Sequence, residues 1–175
     1  MDDLNDEWQG RVAAAMQRAA ASGRGDVADY LRLRQANDEA RETGIAWLLD
    51  LFTTIIGAAV RGGAPISAER IDTHRFPHSN GATMVGTRVV FRCGVLTLSV
   101  EAGYPRAPGD GFITGGGLAQ ANIRHFGDAQ AGIELSLARS ATNELQWHEI
   151  RENSRAGIFT RQAALRHIRK FLSAV

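Results

Sequence analysis

At 175 residues, 44% apolar and 22% charged, the chain has the size and composition of one globular domain with a core of its own. A net charge of +1 excludes a strong overall field toward nucleic acid or an anionic membrane. The lone cysteine, Cys93, excludes an internal disulfide and a Cys-rich zinc site.

Lys170 is the only lysine, so the basic residues are nearly all arginine, as a GC-rich genome would supply. Residues Met1 to Asp50 carry ten acids against six arginines, and the remainder is net basic. The start, Met1-Asp2-Asp3-Leu4-Asn5-Asp6-Glu7, is too acidic for a signal or transit peptide. The longest apolar stretch, Ile45 to Val60, is shorter than a bilayer span and contains Asp50, Thr53 and Thr54. A soluble, cytoplasmic chain with no membrane contact is the expectation.

Apolar residues recur at helical spacing before Pro65 and alternate every second residue after about Ala68. A first helix is expected from Leu4 to Ala21, with Leu4, Trp8, Val12 and Met16 in a narrow stripe suited to a partner or a second subunit. Residues 1–22 thus read as a peripheral helix on a single domain, 1–175. A second helix should start at Val27 behind Asp26 and meet a break or weak spot at Thr43-Gly44. Ile45 to Val60 then reads as a core helix apolar on most sides, sandwiched between a sheet and the earlier helices, and stopped by Gly62-Gly63 and Pro65.

A strand over about Arg70 to Phe76 should precede a hairpin turning at Cys93-Gly94. That turn would pair Phe91 with Leu96, Val89 with Leu98 and Thr87 with Val100, leaving Arg88, Arg92, Thr97, Ser99 and Glu101 on a solvated face. A second hairpin joins Ala119–His125 to Ile133–Leu137, Leu145–Arg151 supplies a last strand, and Thr160 to Val175 closes the chain as a helix. The expected fold is α+β: N-terminal helices, then a largely antiparallel meander of about five to six strands with the core helix on one face, and a C-terminal helix.

Chemistry is less legible. The segment from Gly103 to Gly117 is too long for a hairpin turn, and such loops are usually functional or disordered. Its glycines allow close approach of backbone amides to an anion, with Arg106 as a clamp. It matches neither a dinucleotide fingerprint nor a P-loop. The candidate ligand-binding residues are Tyr104, Arg106, Asp110, His125 and Asp50. Asp50, set in an apolar helix, must be paired, neutralised or turned to water. The histidines His74, His78, His125, His148 and His167 have no metal-ligand spacing, so no metal or cofactor is expected, and His167 should face outward on the last helix.

Three functions remain open at this point. The first is a non-catalytic binding or assembly module, self-associating through the N-terminal helix as a homodimer. The second is a small-molecule enzyme or ligand-binding protein with a pocket between sheet and core helix under the 103–117 loop. The third is weak nucleic-acid binding through Arg161, Arg166, Arg169 and Lys170 of the closing helix, made improbable by the absence of interleaved exposed aromatics.

Overall fold

The structure, a computed structural model, describes residues 10–11, 13–18, 21, 25–78, 81–152 and 154–173. The chain has an α+β fold. Helix α1 (Gly25–Arg61) is followed by strands β1 (Ser67–Pro77), β2 (Thr83–Cys93), β3 (Leu96–Tyr104), β4 (Ala119–His125), β5 (Asp128–Arg139), β6 (Leu145–Arg151) and β7 (Ser154–Ile158), then by helix α2 (Arg161–Ser173). Each strand pairs antiparallel with the next, giving one sheet in chain order. The described residues from Gly10 to Ala21 are helical, while Leu4, Trp8 and Val12 of the expected stripe lie outside the described residues.

The chain divides into two compact units, one ending at Ala40 and the other beginning at Arg41. In the first, the start of α1 carries an Asp29–Arg32 ion pair and a Gln35–Glu39 hydrogen bond of 3.1 Å, both on exposed surface. The sheet and α2 belong to the second.

The expected break at Thr43-Gly44 is absent, and α1 runs on through it. Gly44 is there for contact with the sheet. A Cβ on it would lie 2.4 Å from Leu137 Cδ2, and its carbonyl accepts a 2.9 Å hydrogen bond from Trp147 Nε1. Beyond Gly44 the helix buries Leu48, Leu49, Phe52 and Ile56, each stabilising the fold by about 2 kcal/mol. It covers the sheet with one side only. Trp47, Asp50, Thr53 and Thr54 are exposed. By length and composition α1 meets the criterion for a membrane-crossing helix, and 28% of its most apolar window is buried in the fold.

The β2–β3 hairpin turns at Gly94-Val95, not Cys93-Gly94. Cys93 pairs with Leu96, Phe91 with Leu98 and Val89 with Val100. Gly94 takes a φ of 57°, the left-handed value that a two-residue hairpin turn needs at its first position. Moving the turn by one residue shifts the pairing by two, so every side chain keeps its expected face.

Alternation along these registers defines two faces. The helical face presents Val89, Phe91, Leu98, Val100, Ala121, Ile123, Leu135, Leu137 and Trp147, with Phe52 of α1 stacked on Phe159 at 6.4 Å. The opposite face presents Arg88, Ser99, Glu101, Gln120, Asn122, Arg124, Glu134, Ser136 and His148. It is not the solvated face the sequence suggested. Ser99, Glu101, Gln120, Asn122 and Ser136 are all buried.

Candidate functional site

The polar face owes its first ligand-competent group to an irregularity in β1. Ile71 pairs with Arg88 and His74 with Gly86, so Asp72 and Thr73 together oppose Thr87 in a β-bulge. The extra residue inverts the alternation beyond it and turns His74 and Phe76 onto the polar face. Thr73 adopts a φ of 57°, a costly conformation for a β-branched residue and one that concentrates at functional sites. Asp72 braces the bulge by accepting hydrogen bonds from Arg70 Nε and Thr87 Oγ1, both at 3.0 Å. These bonds, Arg70's first, hold its carboxyl below the ordinary value.

His74 then reaches across a whole strand. Its Nε2 meets Glu101 Oε2 at 2.9 Å, passing over Gly86, which has no side chain to block it. Gly86 pairs with Gly103 on β3, and a Cβ at Gly86 would sit 1.9 Å from the Ala102 carbonyl oxygen. Only glycine lets the strands close up here. The other carboxylate oxygen, Glu101 Oε1, accepts from Asn122 Nδ2 at 2.9 Å and lies 3.7 Å from Arg124 Nε. Glu101 is thereby a buried carboxylate with partners from two other strands, β1 and β4.

Next along β4, Gln120 Nε2 donates to Ser136 Oγ at 3.3 Å. Three polar atoms in this district have no hydrogen-bond partner among the described residues: Arg88 Nε, Gln120 Oε1 and Asn122 Oδ1. Each buried group left unpaired costs about 1–3 kcal/mol. Three such atoms in one patch call for a partner that the described residues do not supply.

The segment after Tyr104 arches over this face. A short 3-10 turn at Pro108–Asp110 is pinned by Asp110, which accepts from the amides of Ala107 at 3.0 Å and Arg106 at 3.1 Å and pairs with Arg75 of β1. The Arg75 guanidinium, then the Ala107 amide, hold the Asp110 carboxyl below its usual range. Ile113 packs on Phe76, Ala82 and Met84, and a Cβ on Gly117 would lie 2.9 Å from Ser136 Oγ. On the far side, Arg155 of β7 donates to the Gly115 carbonyl at 2.9 Å. The loop therefore spans from β1 to β7 on the face opposite α1, while at its end the Leu118 carbonyl accepts from Arg41 of α1 at 3.0 Å. A recess of about 430 Å³, none of whose lining residues belongs to the loop, opens beside Arg124, Glu134 and Ile150.

Of the five candidate residues, Tyr104, Arg106 and Asp110 lie together, and Asp50 and His125 do not join them. Tyr104 lies under the guanidinium groups of Arg106, at 4.1 Å from the ring centre, and Arg41, at 4.8 Å. Asp110 anchors the loop and is buried, and Asp50 is turned to water. His125 pairs with Leu98, six residues along β3 from Tyr104, a separation of roughly 20 Å at the strand rise.

His125 belongs to a different structure. Its Nε2 lies 3.0 Å from Nδ1 of His167, with the rings stacked at 5.4 Å. His167 therefore turns toward the sheet rather than outward, which corrects the expectation. Burial, followed by the proximity of His125, lowers the His167 pKa to about 4. Burial and Lys170 lower that of His125. Lys170 itself pairs with Asp128 at 2.5 Å, leaving one fewer free cation on the closing helix. Among the described residues no group of three or more His, Cys, Asp or Glu is arranged to hold a metal ion.

Sequence reasoning does not bring together His74, Arg88, Glu101, Gln120, Asn122 and Ser136. One signal was present. A strand face exposed to water normally carries long charged side chains, whereas β4 and β5 offer amides and a serine there. The bulge that brings in His74 leaves no such trace, since Asp72-Thr73 reads as ordinary strand. No family model matches the chain, and comparisons with curated proteins and with solved structures return no match.

Proposed function

We propose that the protein binds a small polar molecule on the polar face of its sheet, beneath the loop that follows β3. The observation that carries this reading is the trio of buried, unpartnered atoms, Arg88 Nε, Gln120 Oε1 and Asn122 Oδ1. Support also comes from the left-handed Thr73, whose bulge delivers His74 to Glu101. The His74–Glu101 pair equips the site for proton transfer, with the carboxylate orienting the imidazole. The adjacent Arg88 and Arg124 bias it toward a ligand with an oxygen acceptor.

The test is mass spectrometry of small molecules released from protein purified without denaturation, comparing wild type with Gln120→Met and Arg88→Met. A compound retained by wild type and depleted in both variants is expected. Equal retention by all three, or displacement by blocking another surface, overturns the reading.

A further inference from the structure

We infer that the group recognised at this site is a primary carboxamide or a ureido group. This inference rests on the proposed binding site and names its ligand class. The three unpartnered atoms are one N–H donor, on Arg88, and two carbonyl acceptors, on Gln120 and Asn122. Their complement is one acceptor oxygen and two N–H donors. A –CO–NH2 group carries that set on one planar unit. A carboxylate has no donor for the two side-chain carbonyls, and an ammonium has no acceptor for Arg88.

Placement agrees with this. Gln120 and Asn122 are two apart on β4 and share the polar face, so their Cα atoms lie roughly 7 Å apart. The two hydrogens of an amide nitrogen diverge widely and suit acceptors spread in that way. Arg88 pairs with Glu101, which pairs with Asn122, so the donor sits in the same cross-strand row as one acceptor. Both acceptor residues are more than nine-tenths buried, at 4% and 2% exposure. The Asn122 amide is oriented by its nitrogen's bond to the Glu101 carboxylate, which only accepts, and the Gln120 amide lies against the Ser136 hydroxyl. The neighbouring charges, Arg88 and Arg124 against Glu101 and Glu134, balance, which favours a neutral group over an ion.

The experiment is calorimetric titration of the full chain with benzamide, benzoate and benzylamine, which share a ring and differ in donors and acceptors. Benzamide should bind saturably, with benzoate and benzylamine each weaker by about tenfold or more, because each leaves a buried group unpaired. Gln120→Met should shrink the benzamide-to-benzoate ratio. Arg88→Met, at a half-buried position less critical to folding, should weaken benzamide and benzoate, which both offer it an acceptor, and leave benzylamine unchanged. Benzoate or benzylamine binding as tightly as benzamide overturns the ligand class and keeps the site. Failure of benzamide to bind also overturns the class. In that case retained compounds that are depleted in the variants keep the binding-site reading alive, and their absence ends both.

Discussion

His74 and Glu101 are joined by a 2.9 Å contact although a complete strand, β2, runs between theirs. The contact depends on two features of opposite character: an added residue in β1 and a missing side chain at Gly86. It also makes Glu101 the hub of the polar face, with one oxygen toward His74 and the other toward Asn122 and Arg124.

Removing that hub should be costly. Glu101→Ala strands His74 and Asn122 and is expected to destabilise by about 2–4 kcal/mol. Glu101→Gln retains hydrogen-bonding capacity and should cost about half as much. Urea unfolding of both variants checks the order, and an Ala variant within experimental error of wild type would contradict the network.

The two glycines that meet the sheet closely should respond differently to alanine. At Gly86 the new methyl meets backbone, the Ala102 carbonyl, at 1.9 Å, and the strands must separate. A loss above about 3 kcal/mol is expected. At Gly44 the collision is with the end of the Leu137 side chain, and alanine restores about 1 kcal/mol of helix propensity. Thermal melts should therefore show Gly86→Ala far below Gly44→Ala. Similar losses would mean that β2 and β3 are not this close.

Thr73→Gly removes a strained left-handed threonine. The relief offsets the greater freedom that glycine gains in the unfolded chain, so stability should be unchanged or up to about 1 kcal/mol higher. A loss of more than about 1 kcal/mol would show that Thr73 contributes packing that outweighs its strain.

The His125–His167 pair sets a pH dependence whose sign is fixed. In the unfolded chain His167 titrates near 6.5, and in the folded one near 4. Above pH 6.5 it is neutral in both states. As the pH falls from 6.5 toward 4, only the unfolded chain takes up the proton, so stability declines across that window and levels off below it. His125 shifts in the same direction, and the lowered Asp110 and Asp128 carboxyls add their own losses only below about pH 4. Allowing for partial exposure, the loss from His167 is about 1–2 kcal/mol. His167→Gln should flatten the midpoint temperature between pH 7 and 4.5. An unflattened profile would place the titration elsewhere.

What could be read from sequence follows from what each element buries. The strands from Thr83 to Leu137 alternate because one face packs on α1, and alternation survives in the sequence. Strand β7 is exposed at all five residues and holds its place by backbone pairing, so it has no apolar pattern to find. Gly44 imitates a helix break because its role, closeness to Leu137, is invisible without the partner. The site was least legible. Asp110, a ligand-binding candidate in the sequence, pins a loop in the structure. The buried Glu101 looked like any strand carboxylate facing water.

The central claim is that the buried amides of the polar face serve a ligand rather than the fold. Urea unfolding of Gln120→Met addresses it most directly, because methionine keeps the length and drops the unpartnered oxygen. If the oxygen awaits a ligand, its removal offsets the lost 3.3 Å bond to Ser136, and ligand-free stability should equal or exceed that of wild type. A loss of more than about 2 kcal/mol would make Gln120 a structural residue and contradict the claim.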